Sequence, residues 1–239
     1  MKFLLCLLLL IGCTFAQTTP AELKKSKGDH AKADAKLNAA YKAAMAALKD
    51  DEKEALKRDQ RAWLAYRDDM AKAQVKQAGD DPEKPEASSA YWDMVAGMCD
   101  ERTDWLGSYT IKLPEGLTGE WADSHGGRVY LQDRKDGVAF GIEVVRTRAF
   151  NIGGIAGLAK KESKGASFVD KATADQPSGP CKLFFTLDDS GNLTVRGENT
   201  DPYHGHNAFF DGTYRKVAKL KKNVSTTNAP NDPDATESK

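Results

Sequence analysis

Cysteine is scarce, neither sign of charge is in excess, and no apolar run is long enough to cross a bilayer; each shortage removes a class of protein. Four cysteines in 239 residues, at positions 6, 13, 99 and 181, are too few for a disulfide-built scaffold. Lys plus Arg and Asp plus Glu both total 35, so bulk electrostatics give no reason to expect nucleic acid or an acidic polymer as partner. Familiar chemical motifs are missing as well: there is no HExxH, no GxSxG and no cysteine pair at zinc-ligand spacing. A mean hydropathy of −0.58 with 40% hydrophobic residues describes a soluble, polar-surfaced chain. Its length suffices for two modest domains.

What is present begins with an export leader. "MKFLLCLLLLIGCTFAQTTP" carries one lysine and an apolar run from Phe3 to about Phe15, too short to span a membrane and typical of a secretory signal. Two processing routes fit. Cleavage after Ala16 places small residues Thr14 and Ala16 at the recognition positions, whereas "LIGC" resembles a bacterial lipobox that would lipidate Cys13 and anchor the chain to a membrane. Simple cleavage, leaving residues 1–16 as signal peptide, is the favoured reading. Either route exports the chain to the periplasm or the outside, where disulfides form. Cys99 and Cys181 then remain, either as one bridge tying the two halves together or as two independent buried thiols.

The mature chain changes period halfway. Over residues 21–106, Leu37, Tyr41, Ala44 and Leu48 make one helical stripe, and Leu56, Trp63 and Met70 continue at seven-residue steps on a second helix. "GDDPEKPEA" holds two prolines and no apolar run, so it is a loop. A third helix starts near Ser88, an N-cap residue, and buries Tyr91, Val95, Met98 and Trp105. Three short helices in a small antiparallel bundle are expected. Over residues 117–217 the runs "GRVYLQD", "GVAFGIEVV", "CKLFFTLDD", "NLTVRGE" and "AFFDGTYRKV" read as strands, with "DDSGN" as a hairpin turn. The fold class is therefore α+β, a helical bundle followed by an antiparallel β-barrel or sandwich. Residues 218–239 have too little apolar content to fold alone and read as a disordered tail.

Three stretches imitate active sites. "YHGHN" sets His204 and His206 two apart near Asp201 and Asp211, a spacing better explained by a turn leading into a strand than by a metal site. "ADSHGG" lines up Asp123, Ser124 and His125, but adjacent residues do not converge as a triad, so a turn is expected. "NIGGIAGLA" has glycines at 153, 154 and 157 without dinucleotide-loop spacing, and these are read as bends or points of close strand approach. No catalytic residue, metal ligand or cofactor is expected. In "DQRAWLAYRDD" the arginines alternate with aspartates that would repel phosphates, so nucleic acid is not expected as a partner.

The helical half resembles the LprI-like lysozyme-inhibitor N-terminal domain. Asp34, Leu37, Asn38 and Tyr41 stand in its D-x-x-L-N-x-x-Y element; Gln60, Trp63, Tyr66, Arg67 and Asp68 in its Q-x-x-W-x-x-Y/F-R-D element; Arg102 and Leu106 in its closing R-T-x-x-L. Ala71 and Met94 stand where the family commonly has two cysteines. The β-rich half is similar to domains that follow this unit in other exported bacterial proteins, on Cys181, Leu183, Phe185, Leu193, Val195, Tyr203, Gly205, Phe210, Asp211, Gly212 and Tyr214. The resemblance implies a non-catalytic envelope protein that binds and inhibits lysozyme, with the motif residues mainly structural; Arg61, Asp68 and Asp69 are expected as contacts for the partner on exposure alone. The alternative is an envelope binding module whose β-domain holds a small ligand or cell-wall fragment.

Overall fold

A computed structural model describes residues 18–225. The leader, with Cys6, Cys13 and both processing routes, lies outside the described residues, as do residues 226–239.

Three helices come first: α1 (Pro20–Ala47), α2 (Asp50–Ala78) and α3 (Ser89–Gly107). Local chemistry sets their ends. Thr19 Oγ1 accepts from the Glu22 amide while Glu22 Oε2 accepts from the Thr19 amide at 2.8 Å, a reciprocal cap with Pro20 as the first helical residue. Asp50, Asp51 and Glu52 place negative charge on the first turn of α2. That helix ends at Gly79, whose φ of 79° is a left-handed turn; the Asp80 amide reaches back to the Val75 carbonyl at 3.1 Å. Ser88 caps α3 through Ser88 Oγ and the Ala90 amide, as the sequence implied. With 28 and 29 residues, α1 and α2 are longer than the short helices expected. Ala- and Lys-rich segments without an apolar stripe still propagate as helix once a capped, packed neighbour has nucleated it. The expected stripes meet in one cluster: Leu37, Ala44, Leu56, Trp63, Met70, Val95, Met98, Trp105 and Leu106 are buried, with Tyr41, Leu48 and Tyr91 packed at its edge.

Eight strands follow: β1 (Gly119–Ala122), β2 (Arg128–Arg134), β3 (Gly137–Arg146), β4 (Asn151–Glu162), β5 (Gly165–Val169), β6 (Lys182–Leu187), β7 (Leu193–Glu198) and β8 (Gly212–Ala218). Each pairs antiparallel with the next, and β1 also pairs with β8, so the sheet closes as an up-and-down barrel. The choice between barrel and sandwich is thereby settled. Alternation along β3 turns Val138, Phe140, Ile142 and Val144 inward and leaves Glu143 and Val145 outside. Phe140 meets Phe168 edge-on at 4.9 Å and Phe185 at 5.1 Å, and Trp121 and Tyr214 complete a filled interior. The buried Tyr214 hydroxyl donates to the Phe210 carbonyl at 2.7 Å. "DDSGN" is the β6–β7 hairpin turn, with Asp188 Oδ1 accepting from the Ser190 and Asn192 amides. "NIGGIAGLA" lies in β4, and its glycines serve close approach: a Cβ on Gly157 would stand 2.9 Å from both Phe140 and Phe168, and one on Gly153 would stand 2.7 Å from His204 Cβ. Of the segment 218–239, Ala218 belongs to β8, and the stretch after it runs back across the barrel wall, where Gln132 bonds the Asn223 side chain and the Val224 amide.

The bridge between Cys99 and Cys181 does not form. Both are free and fully buried, Cys99 in the helical cluster and Cys181 in the barrel interior, because each is an inward position of a separate core. Burial pushes the Cys99 thiol up and the Cys181 thiol up to about 11. An acid held protonated by the fold loses stability as pH rises past its unfolded value. For Cys181 that window runs from its ordinary 9.0 to about 11, at about 1.4 kcal/mol per pH unit. Thiol labelling at pH 8 without reductant is expected to modify neither cysteine rapidly in the folded chain from Gln17 onward and both after denaturation. One unlabelled pair in denaturant would show a disulfide instead.

Candidate functional site at the seam of helices and barrel

The signature side chains converge where the helices meet the barrel. Arg102 of α3 is fully buried and satisfied on three sides. Its Nε donates to Gln60 Oε1 at 3.0 Å, its Nη1 to the Ser124 carbonyl at 3.1 Å, and its Nη2 to the Asp59 carboxylate. The guanidinium lies over the Trp105 ring at 4.2 Å and the Trp63 ring at 5.3 Å. Burial pulls its pKa down while the Asp59 carboxylate opposes the shift; a guanidinium starts so high that it stays charged. Arg67 repeats the theme near Trp63, lying over its ring at 5.6 Å and gripping Asp68 Oδ1 through Nε and Nη2 at 2.9 and 2.7 Å. Asp34, half-buried on α1, accepts from the exposed Asn38 at 2.9 Å, while Leu37 and Leu106 are core.

The Ser124 carbonyl belongs to the β1–β2 turn, which is the stretch "ADSHGG". Asp123 Oδ1 accepts from the His125 and Gly127 amides at 2.8 Å, and its other oxygen pairs with Arg146. The aspartate therefore builds the turn and has no bond to the His125 ring, whose Nδ1 faces Ser124 Oγ at 2.9 Å. The ring of His125 meets Tyr66 of α2 edge-on at 5.1 Å. A second loop, between β3 and β4, also reaches the helices. Thr147 and Phe150 have φ of 64° and 52°, a conformation such residues seldom adopt. The bent loop brings Arg148 to Asp69 at 2.5 Å and packs Phe150 on the helical cluster. Arg215 of β8 adds a third tie, donating to Ser108 Oγ at 2.7 Å and stacking on Tyr109 at 3.9 Å.

Between these ties the seam opens into a cleft of about 510 Å³. Met70, Met94 and Met98 form its helical wall, Val145 and Phe150 its barrel wall, and Tyr66 and His125 one end. Asp93 and Glu101 bring negative charge to it. Burial raises the Glu101 carboxyl above its usual range and lowers His125. Tyr66 and His125 also border an adjoining hollow of about 320 Å³ that holds Asp123, Arg146, Asp211 and the exposed Phe209. Apolar walls of flexible methionine beneath an acidic rim suit an irregular apolar group with a cationic neighbour.

Sequence reasoning had named Arg61, Asp68 and Asp69 as contacts. Arg61 is exposed and in no ion pair among the described residues, but Asp68 is held by Arg67 and Asp69 by Arg148. That the methionines meet Val145 and Phe150 in one cleft was not legible, because these residues come from four separate segments. One signal existed: the adjacent valines of "GIEVV" must face opposite sides of a strand, so one is outward, and Val145 is 44% exposed. His204 is bonded within its own turn. Its Nδ1 donates to the Gly205 carbonyl and its Nε2 accepts from Thr200 Oγ1, both at 2.9 Å, while His206 is exposed on the turn.

A three-helix unit bonded through buried Arg102 to a closed, filled eight-stranded barrel is an α+β scaffold. Residues 13–106 match the family model described as Lysozyme inhibitor LprI, so the helical part carries an LprI domain; the match covers less than half of the chain and stops short of the barrel. No curated protein and no solved structure matches the chain. No helix among the described residues is long and apolar enough to cross a membrane.

Proposed function

We propose that this protein is exported to the cell envelope, binds lysozyme there and blocks it without catalysis of its own. The family match over residues 13–106 carries the reading. The cleft at the seam supplies a surface for it. A few central anchors dominate protein–protein affinity, and the cleft offers an apolar floor for one such anchor beside Asp93 and Glu101. Lysozymes are commonly basic, so these carboxylates steer approach and face a cationic partner. A barrel holding a small ligand is less well supported, since Phe140, Phe168, Phe185 and Trp121 occupy its interior.

Titrating lysozyme hydrolysis with the chain from Gln17 onward tests the activity: inhibition saturating near equimolar protein is expected, and hydrolysis untouched by a large excess would sink the reading. Met94→Arg and Val145→Glu test the surface. Each puts a charge into the apolar cleft and is expected to weaken inhibition about 10–100-fold, the loss of roughly 1.4–2.8 kcal/mol of binding. Circular dichroism should stay unchanged. Full potency in both variants would place the contact elsewhere.

A further inference from the structure

We propose that His30, Asp34 and Cys99 form a binding site for one divalent transition-metal ion, with zinc the best match. His30 and Asp34 are four residues apart on α1 and so share a face one turn apart. Cys99 of α3 packs against that face, and one ligand atom from each residue lies within 4.8 Å of the others. Zinc takes thiolate at about 2.3 Å and imidazole or carboxylate at about 2.0–2.2 Å in a tetrahedron, which sets neighbouring ligand atoms roughly 3.3–3.7 Å apart. Closing from the observed spacing takes about 1 Å of movement, within reach of rotamer adjustments in the half-buried His30 and Asp34. A mixed nitrogen, oxygen and sulfur set is wrong for magnesium or calcium, which take oxygen. Three protein ligands leave the fourth position to water.

The surroundings are those of an ion site. Thiolate and carboxylate together neutralise a dication. Asn38 Nδ2 holds one Asp34 oxygen at 2.9 Å, leaving the other for the metal. Trp92 lies against the His30 ring at 5.0 Å. Arg67 Nη1 points at Cys99 Sγ from 3.8 Å, an outer donor to a thiolate, while its own charge is met by Asp68. Burial lowers His30, which favours the neutral ring that ligates, and raises Cys99, so binding must expel the thiol proton. One proton is released per ion bound, and affinity rises with pH. The ion would join α1 to α3 at a place separate from the cleft, so this site stands or falls independently of lysozyme inhibition.

Cobalt(II) is the probe, added to the reduced chain from Gln17 onward. One equivalent is expected to produce a near-ultraviolet thiolate-to-cobalt band and the visible bands of four-coordinate cobalt. Zinc should displace both and raise the melting temperature. Cys99→Ser is expected to abolish the thiolate band, and His30→Ala and Asp34→Asn each to weaken binding at least about tenfold, whereas Cys181→Ser changes nothing. Should Cys99→Ser not fold, the His30 and Asp34 variants, altered on the half-exposed side of α1, give the same reading. Absence of a thiolate band, its persistence in Cys99→Ser, or undiminished affinity in both α1 variants would overturn the site.

Discussion

Arg102→Ala is expected to destabilise the helical unit by about 3 kcal/mol or more, the range for breaking a buried ion pair from one side. The loss has several parts. Asp59, with a third of its side chain exposed, would keep some access to water, which holds the cost toward the lower end of that range. Gln60 Oε1 and the Ser124 carbonyl would each lose a donor, and Trp63 and Trp105 a cation on their faces. Arg102→Lys keeps the charge but reaches one acceptor at a time instead of three, so it should recover only part of the loss. Denaturant unfolding followed by helical circular dichroism measures both. Because Arg102 also grips the β1–β2 turn, the alanine variant should expose Tyr66 and His125 at the seam, read as faster amide exchange at 123–127. A variant as stable as the parent would remove Arg102 from its place as the clamp between the two halves.

Trp63→Ala should cost about 3–5 kcal/mol, as for large aromatic truncations in a core. Trp63 is 2% exposed and has two guanidinium groups near its ring, Arg102 at 5.3 Å and Arg67 at 5.6 Å. Its removal leaves a cavity and strips both cations of a neighbour. Combined with Arg102→Ala the costs should fall short of their sum by about 0.5–3 kcal/mol, since each variant removes the same stacking contact. Strict additivity in the double variant would mean the stacking contributes nothing and Trp63 is only a packing residue.

How far these features could be read in advance depended on how local their causes are. The helical stripes through Leu37, Leu56 and Trp63 were legible because spacing on one helix decides which residues share a face. So was the Ser88 cap. Strands with strong alternation, β3 and β6 among them, declared themselves. β1, β4 and β5 did not: β1 has only four residues, and β4 turns glycines 153 and 157 inward, where they leave space for His204, Phe140 and Phe168 and show no apolar pattern. The signature "DQRAWLAYRDD" was readable as scaffold, yet the partners of Arg102 lie on α2 and on a barrel turn that no spacing rule connects to α3. Whether the two cysteines pair stayed open for the same reason, since two inward positions in separate cores look identical to two facing positions in one. The cleft is the extreme case, assembled from two helices, a strand, a turn and a bent loop.

Because β1 bonds to β8 as well as β2, the sheet ends nowhere. Among the described residues no strand is left as the end of the sheet, so neither an extended peptide nor a second copy finds a terminal strand to pair with. Whatever the barrel meets, it meets through side chains and turn tips. A strand-adding receptor keeps its specificity in a backbone that mutation hardly touches, whereas this surface can be rewritten one residue at a time while the cylinder beneath it stays the same.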